Sequence, residues 1–358
     1  MGSIILFLIV LSVLVLVHEA GHFFTALWMG MKVEEFGVGF PPRAWSKIKN
    51  GIRYSINWIP LGGFVKIKGE SGEDRMDPDS FGSKPAWKRF IVLIAGVAMN
   101  MILAVVLFSI GYGIGLPQAL DDLPASAHVR EQQIYVADVA PESPASEVGL
   151  QSGDVLTSID DVAFVSAEEA QNYIQAHVDS EMTLRVKREQ DFFVYSATPR
   201  ELAIAGNNKV LGVSLVTTGI VSYPWYLAPV KGAETTFIYT REILRAFGGL
   251  FSNLIVHQQV SADLSGPVGI AAMTGQVAKM GFAYLLQFAA LLSINLAVLN
   301  VLPLPALDGG RILFLAIEKI IRRPVPSRVE GTVHAAGFAL LMILVVVITF
   351  KDITKLFQ

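Results

Sequence analysis

The sequence predicts an α-helical polytopic membrane protein with four transmembrane helices, a cytoplasmic membrane-associated β-hairpin and an inserted extracytoplasmic β-rich domain. Three observations lead there. Of 358 residues, 53% are hydrophobic and only 16% charged, against about 25% charged in an ordinary soluble domain; the mean hydropathy is +0.51. Four runs, near 4–29, 90–116, 282–304 and 333–350, reach the roughly 20 apolar residues that a hydrocarbon core requires. Between the second and third, short alternating stretches are punctuated by Gly, Pro and Asp, the pattern of a separate β-rich fold. The net charge of −3 supplies no basic field for nucleic acid. With no cysteine in the chain, disulfides, thiol nucleophiles and thiolate metal sites are excluded, and any metal must be held by nitrogen and oxygen.

The first run has neither the basic leader nor the small-residue cleavage site of a signal peptide, so it is expected to remain in the mature chain. Orientation follows from the basic residues. Eleven of them, from Lys32 to Arg89, lie between the first two runs, and Arg311, Lys319, Arg322, Arg323 and Arg328 lie between the last two. The long middle segment has few near its ends, chiefly Arg130 and Lys279. The positive-inside rule then puts the first and third loops in the cytoplasm, and both termini and the middle segment outside. Lys351 and Lys355 weigh mildly against this order. The expected divisions are an N-terminal membrane region 1–117, an outer domain 128–218, an amphipathic interfacial linker 219–280 and a C-terminal membrane region 281–358.

Residues 51–68 read as the hairpin. Ile52, Tyr54, Ile56 and Trp58 alternate with polar neighbours, Pro60-Leu61-Gly62-Gly63 punctuates, and Val65 and Ile67 alternate with Lys66 and Lys68. One reading is a small sheet with one buried face. The other is a sheet whose apolar face dips toward the membrane and whose edge pairs with an extended peptide, with Ile56 and Trp58 as substrate contacts. In the outer domain, Ile134–Val139 leads into a Pro-bounded turn and a short helix. Gly149 suits a helix C-cap and Gly153-Asp154 a turn before the strand Val155–Ile159. Ala167–His177 reads as a helix, and Thr183–Arg188 and Phe192–Thr198 as strands. In 223–260, aromatic residues precede a helical pattern suited to the membrane interface or to a soluble core.

Within the first run stands His18-Glu19-Ala20-Gly21-His22. Residues four apart share a helix face, so both imidazoles can reach one ion. This is the HExxH arrangement, two zinc ligands with a glutamate as general base. Three ionisable groups in an otherwise apolar span cost about 2.5–3.5 kcal/mol for a central charge, which weighs against a merely structural role. A catalytic zinc takes three protein ligands and leaves one position open. His128 and His177 lie in the outer domain, His257 precedes the third run and His334 opens the fourth. Asp308 is better placed, after Pro303 and Pro305 break the third helix. His18 is about 14 residues in from the outer face, or ~21 Å, and the third run reaches Asp308 near that inner level. The competing reading makes Asp308 a helix N-cap.

These motifs resemble the site-2 protease family of intramembrane zinc metalloproteases. The resemblance rests on His18–His22 with Leu307-Asp308-Gly309, and extends to Pro60–Val65, Ala95–Asn100, Leu264–Ile270 and Ser293–Leu296. It covers nearly the whole chain and is closest to the bacterial sigma-E regulator type, with the outer domain resembling a bacterial PDZ domain. There are departures. One PDZ domain stands where the best-known members carry two, Val97 replaces a proline, and Asp160-Asp161 replaces the Asn-Gly after the PDZ strand.

The resemblance implies that His18, His22 and Asp308 bind Zn2+, that Glu19 activates water, and that Asn300 holds the substrate backbone or the oxyanion. A hydrogen bond tying the broken third helix is the other role open to Asn300, whereas Asn100 and Asn295 read as links between helices. It further implies a bacterial inner-membrane enzyme that cuts single-pass membrane proteins, such as an anti-sigma factor or a remnant signal peptide, with the PDZ domain as size filter or docking site. The rival from another class is a membrane scaffold that binds metal and docks partners through its PDZ domain. Such a scaffold has no need of a base at Glu19.

Overall fold

The computed structural model describes residues 2–70, 76–120, 126–188, 191–202, 209–256 and 266–356. It divides into two compact units, 1–111 with 226–358, and 112–225. Among the described residues four helices are long and apolar enough to cross a bilayer, and the chain is a multi-pass membrane protein.

The first of these, α1 (Gly2–Trp28), ends in a Schellman motif. Gly30 has φ +72°, the Gly30 N–H donates to Leu27 O over 3.0 Å, and the Met31 N–H to Ala26 O over 2.9 Å. The chain turns directly into β1 (Val33–Lys49) and β2 (Ile52–Ile67). Asn50 and Gly51 both have positive φ, 53° and 79°, the requirement of a two-residue hairpin turn.

The two halves of β2 were expected to pair with each other, and they do not. Val33–Val38 lies between them, with Phe36 opposite both Val65 and Tyr54, and Val38 opposite both Gly63 and Ile56. Side-chain chemistry explains the insertion. Both Glu35 carboxylate oxygens accept from Arg43 Nη2, at 3.0 and 2.9 Å, and draw the second half of β1 back on the first. Asn57 Nδ2 donates to Gly39 O over 3.0 Å. The sheet lies along α1, where a Cβ at Gly63 would come within 2.8 Å of Leu16. Phe23, Ala26, Val33, Ile52 and Ile67 are buried together with Val92 and Leu93 of α2 (Ala86–Ile114).

The second unit is built on a six-stranded antiparallel sheet. Its strands are β3 (Leu116–Ala119), β4 (His128–Val139), β5 (Val155–Ile159), β6 (Met182–Arg188), β7 (Asp191–Ala197) and β10 (Val213–Ser222), in spatial order β3-β10-β4-β5-β6-β7; β8 (Arg200–Glu201) pairs separately with β9 (Lys209–Val210). The sheet thus takes in residues on both sides of the expected 128–218. Helices α3 (Pro144–Glu147) and α4 (Ala167–Ala176) begin at Ser143 and Ser166, whose side chains accept from Ser146 N and Glu169 N. This is the PDZ-like order of strands and helices. Asp160 and Asp161 have φ 49° and 64°, and Ile159 bridges to Val162 across them, so two aspartates make the left-handed turn usually left to Asn-Gly.

The membrane unit resumes with α5 (Ala228–Val256), α6 (Pro267–Met280), α7 (Phe282–Val301), α8 (Asp308–Ile321) and α9 (Ser327–Leu356). The region expected as an amphipathic linker is therefore mostly two helices. Helix α5 packs on α2 where Gly232 meets Val105 and Ser109; Tyr239 stacks on Phe108. Buried Asp352 of α9 accepts from Gly266 N at 3.2 Å and Gly269 N at 2.7 Å, capping α6. His257, Leu264 and Ser265 lie outside the described residues.

One carboxylate anchors the PDZ-like unit. Asp154, with a side chain 1% exposed, accepts from Arg188 Nε at 2.6 Å, Arg188 Nη2 at 2.8 Å and the Gln151 N–H at 3.0 Å. Burial pushes its pKa up, but the Arg188 guanidinium and the Gln151 N–H prevail and hold it below the ordinary 3.8. Its stabilisation is therefore present above pH 3.8 and is lost as pH falls through the lower folded value. Asp154→Ala is expected to cost about 3 kcal/mol, read at neutral pH as faster hydrogen exchange of the β5 and β6 amides in the full chain.

Candidate metal centre

On α1, His18 and His22 point the same way and are both buried. Their Nε2 atoms lie 3.1 Å apart. Asp308 Oδ2 comes within 3.0 Å of His18 Nε2 and 3.2 Å of His22 Nε2. Three donor atoms from two chain regions thus form a nearly equilateral triangle. Metal–ligand bonds near 2.0–2.1 Å arranged tetrahedrally put neighbouring donors about 3.3 Å apart. The donor types and their spacing fit a zinc ion.

Each imidazole is oriented from behind. His22 Nδ1 lies 2.8 Å from Val92 O; a carbonyl can only accept, so Nδ1 carries the hydrogen and Nε2 keeps its lone pair for the triangle. His18 Nδ1 faces the Asn100 amide at 3.4 Å. Asn100 is fully buried, and its Oδ1 has no partner among the described residues. A half-turn of the amide makes Oδ1 the acceptor for His18 Nδ1–H. Asn100 therefore serves the site, beyond the helix-linking role expected of it. The Ser293 hydroxyl donates to its backbone oxygen over 2.8 Å. The signal was the i, i+4 pair Gly96 and Asn100, which share one face of α2. At Gly96 a Cβ would collide with His22 Nε2 and lie 2.6 Å from His18 Cε1.

Asp308 is carried by the turn between α7 and α8. Helix α7 stops at Val301, short of the expected Leu304, because Pro303 and Pro305 cannot continue it. The N-cap of α8 is Leu307, with no side-chain cap bond, and Asp308 is the first helical residue. Its carboxylate is turned to the histidines, which corrects the reading of Asp308 as the cap. Glu19 faces the sheet, and its Oε2 accepts from the Val65 N–H over 2.9 Å.

The other expected residues are placed differently. Asn300 is half-buried near the end of α7. Ile56 and Trp58 are 51% and 72% exposed, but Ile56 is opposite both Val38 and Trp45. Its backbone is paired on each side, so an added peptide strand cannot bond there. The edges are Trp45–Lys49 and Gly63–Ile67. An apolar cavity of about 610 Å³ opens beside Leu14 and Val15, one turn before His18, with Gly62, Leu296 and Leu299 also in its wall.

Two imidazoles and a carboxylate with a glutamate next in line are the equipment of a zinc peptidase, and here the imidazoles and the glutamate stand on a helix of membrane-spanning length. The protein is an intramembrane zinc metalloendopeptidase. The profile of peptidase family M50 matches residues 6–344, and the chain belongs to that site-2 protease family. It is 31% identical to zinc metalloprotease RasP of Geobacillus kaustophilus over 99% of this chain and 98% of that one. It is also 31% identical to the regulator of sigma-W protease RasP of Bacillus subtilis over 99% of each. Among solved structures, the PDZ domains of SdrC-like proteins match part of the chain. That of Listeria innocua is 24% identical, covers 23% of this chain and 92% of its own, and gives a TM-score of 0.21. That of Listeria monocytogenes is 26% identical, covers 25% and 92%, and gives 0.22.

Gly96→Ala tests the packing behind the triangle. The added methyl group displaces one or both imidazoles, so zinc affinity is expected to fall about 10-fold or more. Zinc retained by the purified protein against a graded chelator measures it.

Proposed function

We propose that His18, His22 and Asp308 hold zinc, that Glu19 is the general base, and that the enzyme hydrolyses a peptide bond within the transmembrane segment of single-pass membrane proteins. The observation that carries this reading is the approach of His18 Nε2, His22 Nε2 and Asp308 Oδ2 to within 3.2 Å of one another beside Glu19. A bound zinc would lower the pKa of a water to about 7 and polarise the scissile carbonyl. Glu19 would accept a proton from the attacking water and pass it to the departing amine nitrogen, so that no charge is stranded in the apolar surround. The Val65 N–H holds the Glu19 carboxylate in the meantime. Val92 O and Asn100 keep the imidazoles in the tautomer that leaves Nε2 free.

A peptide bond inside a helix is shielded by its own hydrogen bonds, so the substrate must unwind. The edge Gly63–Ile67 lies nearest Glu19 and can pair with the unwound segment. Ile56 and Trp58 offer it apolar surface from the same sheet, and Asn300 holds its backbone carbonyl or the developing oxyanion. The substrate class is an anti-sigma factor or a remnant signal peptide; the name of the Bacillus subtilis relative supports the former. The positive-inside rule supports a cytoplasmic position for the first and third loops, with the PDZ-like unit and both termini outside, where that unit sorts substrates by size or docks them.

Glu19→Gln is the test. In proteoliposomes with a single-span reporter, the variant is expected to keep its zinc while cleavage falls by about 10²–10⁴. Cleavage at the wild-type rate by a zinc-loaded variant overturns the assignment.

A further inference from the structure

The turn that carries Asp308 is gripped from its far side by the last helix. Ala306 has φ +74°, a region that residues with side chains rarely enter. Its N–H donates to Nδ1 of His334 over 2.9 Å. Three residues further along α9, Gly337 lies so close to Pro305 that a Cβ would collide with the proline ring. The His334 ring packs beside Phe314 of α8, with centroids 5.5 Å apart. Thus α9 touches the turn at Pro305 and Ala306, just before the carboxylate, and it touches α8 just after.

The hydrogen-bond inventory of His334 shows what the imidazole is for. Because Nδ1 accepts, the ring hydrogen sits on Nε2. That atom is buried and has no partner among the described residues. A phenyl ring would pack against Phe314 without stranding a donor, and a stranded donor is costly. What only the imidazole supplies is an acceptor for the Ala306 N–H. Without it, a backbone donor in a left-handed turn would be left unpaired in an apolar surround.

We propose that His334 is a positioning residue for the metal centre. By accepting the Ala306 N–H it fixes the turn two residues before Asp308, and so sets how closely the carboxylate approaches His18 and His22. The proposal rests on the ligand assignment made above. His334 does not itself bind the metal, since the nitrogen facing the turn is already committed to Ala306.

Two substitutions separate the hydrogen bond from the packing. His334→Phe keeps a ring beside Phe314 and removes the acceptor. His334→Asn gives up the ring but puts Oδ1 where Nδ1 stood. Full-length wild type and both variants, purified in detergent, are titrated with a chelator for zinc, and their cobalt(II) forms are compared by d–d absorption. His334→Phe is expected to bind zinc about 10-fold more weakly with an altered cobalt spectrum, and His334→Asn to stay within about threefold of wild type. Wild-type affinity and spectrum in His334→Phe overturn the proposal. So does a His334→Asn variant as weak as His334→Phe, because packing would then account for both. Should His334→Phe fail to fold, His334→Ala against His334→Asn gives the same comparison. A wild-type chain that binds no zinc overturns the ligand assignment itself and this proposal with it.

Discussion

Polar groups set among apolar helices must find partners within the protein, because lipid offers none. Much of the membrane unit follows from that constraint. His22 Nδ1 meets Val92 O, His18 Nδ1 meets Asn100, and both Nε2 atoms meet Asp308. Asp352, near the end of α9, meets the first amides of α6. Each pairing joins elements far apart in sequence, so satisfying the polar atoms also fixes which helices touch. Close packing cooperates: Gly96 lets α2 press on the two imidazoles, and Gly337 lets α9 press on Pro305.

The PDZ-like unit obeys a different rule. Ile134, Val136, Ile159, Met182, Leu184 and Val186 alternate with outward residues and bury one face of the sheet. Its principal buried charge, Asp154, is met by a guanidinium rather than a metal-type cluster. Water and sheet periodicity shape this unit, whereas desolvation of a few ionisable groups shapes the membrane unit.

What could be read from the sequence depended on how local the signal was. A membrane span is a property of about 20 consecutive residues; the first three helices lie within four residues of their expected bounds, and the fourth, Ser327–Leu356, contains the expected 333–350. His18, Glu19 and His22 are legible because four residues make one helical turn. Asp308 needed a depth argument across the chain, and its helix starts one residue earlier than a cap would allow. The insertion of Val33–Val38 between two parts of β2 was not legible, since alternation shows that a segment is a strand and not which strands flank it. Asn50-Gly51, the strongest turn signal in that sheet, stands just before the segment that alternation picked out. Asn100 shows the same limit: an asparagine in an apolar helix reads alike whether it bonds a neighbouring helix or an imidazole of the candidate metal centre.

His18 and Asp308 are separated by 290 residues, and this distance has a meaning in time. During synthesis at about 5–20 residues per second, Asp308 follows His18 by roughly 15–60 s. Throughout that interval the first helix holds its histidines and glutamate without their carboxylate partner. The proposed ligand set closes only after the PDZ-like unit has been made and the third span has been delivered. A chain not yet extended to Asp308 therefore lacks the third member of the proposed ligand set.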